Sequence, residues 1–217
     1  MAGHGVDVGQ ELSGRDPGRE AMRLSALGTE AVGQREFASA AEYFGQALAI
    51  SRESRSRRGE ASNLGNLGSV LNILGKHEEA VQVYVQAIAL SREIADRRGE
   101  GRILGNLGDV YTTLGEYKRG IEKLNMALVI ARDTGDRHAE GSHLANLGNN
   151  YLGLGKHKRA AQHYSEALAI AREVGATDRE EKILRNLQLC EHASKSSLMS
   201  KFNPLSSSTT RRRICSV

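Results

Sequence analysis

Proline is nearly missing: the 217 residues hold two, Pro17 and Pro204. Proline breaks a helix interior, so the long stretch between them is open to helical structure throughout. Cysteine is as scarce, with Cys190 and Cys215 alone. Two cysteines build neither a disulfide framework nor a metal quartet, which points to a reducing interior: cytoplasmic, with the nucleus not set aside. No apolar run approaches a membrane span, and the opening residues lack the hydrophobic centre of a signal peptide. No nucleophile elbow, Gly-rich phosphate loop or paired-acid motif stands in a workable context, so the chain is read as no enzyme and without a cofactor. His138 and His143 are five apart and His157 and His163 six apart. Neither spacing is the i, i+4 face of a helical zinc pair, and no metal site is expected.

What is present is repetition. Leu64-Gly65-Asn66-Leu67-Gly68 returns as Leu104-Gly105-Asn106-Leu107-Gly108 and as Leu144-Ala145-Asn146-Leu147-Gly148, at a fixed period of 40 residues. Gly75, Gly115 and Gly155 share that register, as do Tyr84, Leu124 and Tyr164, and Arg52, Arg92, Arg132 and Arg172. A fixed period of this length denotes a stack of one supersecondary unit. Within a unit, Leu64, Leu67, Val70, Leu71 and Leu74 form one apolar helical stripe, closed by Gly75. The next helix carries Ala80, Val81, Tyr84, Ala87, Ile88 and Leu90. Small residues at Gly68 and Ala80 let the two backbones approach, Tyr84 fills the space beside them, and a two-residue break is expected to make the helices antiparallel.

The Asn-Leu-Gly core, the aromatic at Tyr111 and Tyr151, and the later Ala…Tyr…Ala-Leu resemble the tetratricopeptide repeat (TPR) over roughly residues 19–192. The 40-residue period and the Asp-Arg-x-x-Glu-Gly linkers (Asp96 to Gly101, Asp136 to Gly141) resemble the Pins-type G-protein signalling modulator adaptors, and more distantly the kinesin light chain repeats. The resemblance implies an all-α fold: a right-handed α-α superhelix of four helix pairs plus a C-terminal capping helix. The array is placed at 16–193, with units at about 19–53, 59–94, 99–134 and 139–174 and the cap at 178–192. Gln188 stands there in the phase of the core glycine, so that helix is expected to have lost its partner. Residues 1–15, Gly-rich, and 194–217, Ser-rich and basic, are read as disordered.

The resemblance also implies a function: a non-catalytic scaffold or adaptor that holds a partner peptide in a concave groove lined by the first helix of each pair. Its lining positions would be Ser62, Arg102 and Ser142; Ser69, Asp109 and Asn149; Asn72 and Thr112; and Thr113. Arg102 would reach toward acidic ligand residues, Asn149 would bond ligand backbone, and Asp109 would favour a cationic group. Gly65, Gly105 and Ala145 occupy a position that a carboxylate clamp would give to lysine. The recurrent Asn66, Asn106, Asn146 and Asn186 are read as inter-helix hydrogen-bonding groups, and Arg55, Arg57, Arg58, Arg97 and Arg98 as solvated helix-end charges.

Net charge is +4, but residues 193–217 alone carry Lys195, Lys201, Arg211, Arg212 and Arg213 without an acid. The basic character belongs to the tail, which argues against nucleic acid as a partner of the repeats. An alternative function lies in that tail: contact with an acidic protein or a membrane surface, switched by phosphorylation at Ser216 or lipidation at Cys215.

Overall fold

The computed structural model describes residues 16–202, and of residues 194–202 the backbone only. The described residues form nine α-helices: α1 (Pro17–Gly33), α2 (Phe37–Glu53), α3 (Arg57–Ile73), α4 (His77–Glu93), α5 (Arg97–Thr113), α6 (Tyr117–Asp133), α7 (Arg137–Gly153), α8 (His157–Glu173) and α9 (Thr177–Phe202). Each of the first eight is 17 residues long. Three residues, not two, separate successive helices. The backbone therefore repeats every 20 residues, and the sequence every 40, because odd and even helices have different neighbours.

The break has a single construction. Its middle residue is left-handed at Arg35, Arg55, Gly75, Ala95, Gly115, Gly135, Gly155 and Gly175, with φ from 56 to 76°. The next amide then donates back five residues, as Lys76 N does to Leu71 O at 2.9 Å, a Schellman closure. Helices α1, α3, α5 and α7 also start on a side-chain cap: Asp96 Oδ1 accepts from Gly99 N, and Asp136 Oδ1 from Ala139 N, both at 2.9 Å. Ala95 holds φ 56° with a Cβ in place. Ala95→Gly should therefore stabilise the array by up to about 1 kcal/mol, read as a higher melting temperature.

Within a pair, packing follows the sequence register. A Cβ on Gly68 would lie 2.6 Å from the Tyr84 ring, and one on Gly148 2.5 Å from the Tyr164 ring, so only glycine admits these tyrosines. Each helix packs on the next. Odd helices also meet one another (α1–α3, α3–α5, α5–α7), which the even helices do not do to the same extent among the described residues. The stack thus bends with its odd helices on the inner side.

Between pairs, a repeated ion-pair staple joins the units. Glu100, 3% exposed, accepts from Arg92 Nε at 2.6 Å and from Arg97 Nη1 at 2.8 Å. Glu140 repeats this with Arg132 at 2.8 Å and Arg137 at 2.5 Å. Glu60 repeats it with Arg52 and Arg57. Arg57, Arg97 and Arg137 reach on to Glu93, Asp133 and Glu173 at the end of the following even helix. Arg57 and Arg97 are therefore structural staples, which corrects their reading as solvated charges. The Asp-Arg-x-x-Glu-Gly linker is accounted for in the same way. Asp caps, Arg and Glu staple, and Gly101 makes room for Ile130, whose Cγ2 would lie 2.8 Å from an added Cβ.

The last helix departs from expectation. It runs to Phe202, so the boundary read at residue 193 falls inside it. Neither glycine nor proline occurs between Gly175 and Pro204, and nothing at the next break phase favours a left-handed residue. Ser216 and Cys215 lie outside the described residues. No helix among the described residues is long and apolar enough to cross a membrane.

Candidate functional site

On the inner side, α5 places Arg98, Arg102, Asn106, Asp109 and Thr113 along one face at three- and four-residue steps. Between it and α7 lies a cavity of about 550 Å³. Ala127, Ile130 and Ala131 of α6 line it, and Arg98, Arg102, Ser142 and Arg179 stand around it. Arg179 is tied by Nη1 to the His138 carbonyl at 3.1 Å. A second cavity, of about 1000 Å³, opens between α7 and α9 against Ser142, Asn149, Lys182 and Arg185. Among the predicted residues, Arg102, Ser142 and Asn149 thus reach the groove. Ser62 lines a separate cavity near α1 with Ser25 and Arg58. Thr113 is exposed. Asn72 and Thr112 are turned toward neighbouring helices: Asn72 Oδ1 meets His77 Nδ1 at 2.9 Å, and Thr112 Oγ1 accepts from Asn150 Nδ2 at 2.7 Å.

Ser69, Asp109 and Asn149 form a ladder with the recurrent asparagines. Asn106 Nδ2 donates to Ser69 Oγ at 3.3 Å, Asn146 Nδ2 to Asp109 Oδ1 at 2.5 Å, and Asn186 Nδ2 to Asn149 Oδ1 at 3.2 Å. Asn106, Asn146 and Asn186 therefore bond α5, α7 and α9 to the odd helix before each, as the sequence suggests, whereas α3 is joined to α1 through Asn63, which accepts from Ser25 Oγ at 2.6 Å. Tyr84 and Tyr164 add their hydroxyls to Ser69 at 3.1 Å and to Asn149 at 2.7 Å. Burial pushes the Asp109 carboxyl up to about 7. Burial also lowers His143, whose ring packs against Gly105 and whose Nε2 is buried without a partner. That contact explains the small residue where a clamp lysine would stand: the imidazole occupies the space.

Arg98 and Arg179 are groove residues that sequence reasoning missed. Arg98 shares a phase with Arg58 and His138, a signal that was present; Arg179 comes from the following helix and had none. Arg98 and Arg102 have no ion pair among the described residues, whereas Arg97 beside them is held by Glu100 and Asp133.

Comparison with known proteins agrees with this architecture. The nearly identical TPR-like repeats of a kinesin light chain from Podosopora anserina superpose with a TM-score of 0.69 at 16% identity, over 87% of this chain and 92% of that one. Aspartyl phosphate phosphatase F from Bacillus subtilis gives 0.76 at 16% identity, over 86% of this chain and 51% of that one. BtubC (BKLC) from P. vanneervenii gives 0.65 at 19% identity, over 93% and 87%. At such identities these likenesses show a shared fold. No curated protein matches the chain. The tetratricopeptide repeat family model matches residues 59–133 and 100–173, on the helix pairs described above. Those matches span more than half of the sequence, and the chain belongs to the tetratricopeptide repeat family.

Proposed function

We propose that the chain is a non-catalytic adaptor that holds a partner peptide in the groove over α5 and α7. Tetratricopeptide repeats generally mediate protein–protein interaction. One observation supports this location. The staples absorb the charges at the unit junctions, while Arg98 and Arg102 are left unpaired beside an apolar floor. Unpaired donors beside apolar surface suit a ligand that brings both acceptors and side chains. In the Glu100-Gly101-Arg102 triplet, two residues pack units together and Arg102 alone faces the groove.

Asn149 is a poor test residue, because its removal would take away the acceptor of the Tyr164 hydroxyl. Ser142, half-buried and lining both cavities, is better placed. Affinity capture with the full chain should lose its specific partners in Ser142→Trp, which plugs the groove. Capture should be unchanged in Val129→Trp, on exposed α6 surface. Identical partner sets in both variants would move the function off this face.

A further inference from the structure

Three odd helices carry an acceptor at one phase, and the middle one is short of a donor. Ser69 receives the Tyr84 hydroxyl and Asn106. Asn149 receives the Tyr164 hydroxyl and Asn186. Asp109 receives Asn146 alone, because the tyrosine phase of α6 holds Leu124, which has no hydroxyl. An ionised carboxylate accepts about four hydrogen bonds. Asp109 is half-buried, yet it has no sealed, unpartnered oxygen. Its spare acceptor capacity is therefore open to a ligand.

Toward the start of the same helix face stand Arg102 and Arg98, without ion pairs among the described residues, and Arg179 joins them across the cavity. Arg102 and Asp109 are seven positions apart on α5, roughly 10 Å along the axis. No ion pair joins them, and burial rather than a neighbouring cation governs the Asp109 carboxyl. One face thus presents a cationic station beside an apolar floor and, beyond it, a carboxyl that burial leaves only part ionised near neutral pH and that an arriving cation would hold in its charged form.

We propose that this face receives a peptide segment of mixed charge, with an acidic side chain among Arg98, Arg102 and Arg179 and a lysine or arginine on Asp109. In an extended segment the two side chains would be about two to four residues apart. The inference rests on the groove reading above and names the chemistry of its partner. A wholly acidic segment would set a like charge over Asp109, and a wholly basic one would face three arginines, so each is rejected at one station. The chain's own residues 193–217 hold five cations and no acid, and they fail on the same ground.

The test uses random dodecapeptides displayed on phage and selected on the full chain. Clones that Ser142→Trp no longer binds are kept as groove ligands. They should share an acid and a base at the stated spacing. Asp109→Asn, close in shape, should weaken them about tenfold, and changing the ligand's base to glutamine should remove that sensitivity. Arg98→Gln with Arg102→Gln should behave in the same way toward the acid. On the unmodified chain, ligands with the base changed to glutamate should lose binding, which needs no protein variant. Groove ligands with no such pair, or indifferent to both charge variants, would overturn this inference and leave the groove reading standing. If no clone depends on Ser142, the groove reading fails and this inference with it.

Discussion

Tyr164→Ala should destabilise the array by about 3–5 kcal/mol and split its thermal unfolding into two steps. The side chain is fully buried, and its ring sits where a Cβ on Gly148 would lie 2.5 Å away. It belongs to the C-terminal core, with Leu124, Leu144 and Ile183. Its hydroxyl donates to Asn149 and accepts from Asn186, which joins α8 to both α7 and α9. Removing it leaves a cavity and takes one hydrogen bond from each of Asn149 and Asn186. In a stack held by nearest-neighbour contacts, that damage stays local. The cores around Tyr84 and Phe44 keep their own contacts and should melt separately. Tyr164→Phe isolates the hydroxyl: about 0.5–1.5 kcal/mol and one transition. Differential scanning calorimetry distinguishes these cases. A single unchanged transition in the alanine variant would contradict the packing of α8 against Gly148.

The same glycine–tyrosine pair shows what the sequence disclosed. Gly148 and Tyr164 recur at fixed phase with Gly68 and Tyr84, and steric necessity makes such a pair visible. The 20-residue backbone period was hidden. Its left-handed positions are glycine at five breaks but Arg35, Arg55 and Ala95 at three, where the closing hydrogen bonds hold a residue that propensity disfavours. The staples were legible and unread: arginine and glutamate recur eight apart at 52/60, 92/100, 132/140 and 172/180, across a helix break where i, i+4 reasoning does not look.

The groove was legible in part for a geometric reason. Neighbouring positions on a helix differ by about 100°. Thr112 and Thr113 therefore cannot both face a ligand, and the bond from Asn150 turns Thr112 aside. Asp109 stood out in the sequence only as an acid among neutral residues. Its missing donor became visible once Leu124 was placed beside Tyr84 and Tyr164 in space.

Glu140→Gln should cost about 1.5–3 kcal/mol near neutral pH, and that cost should fade in acid. Burial alone would raise the Glu140 carboxyl. The bonds from Arg132 and Arg137 outweigh it and hold the group below its ordinary value of 4.5. A depressed folded-state value means that ionised Glu140 stabilises the fold above the unfolded value. That contribution is lost as pH falls through the folded one. Arg132 of α6 and Arg137 of α7 face the carboxylate, with Glu166 and Glu173 of α8 on the far side of those arginines. Both arginines are about half exposed, so glutamine leaves cations that reach water, and the loss stays below that of a fully buried orphaned charge. The chain carries many other carboxylates. The diagnostic quantity is therefore the difference between parent and variant across pH in urea unfolding. Glutamine cannot titrate, so the other groups cancel to first order and Glu140 remains. A difference that closes below about pH 4 is the expected result. A difference constant with pH would mean that the side chain acts by shape, and that the arginines recurring every 40 residues are not what joins one unit to the next.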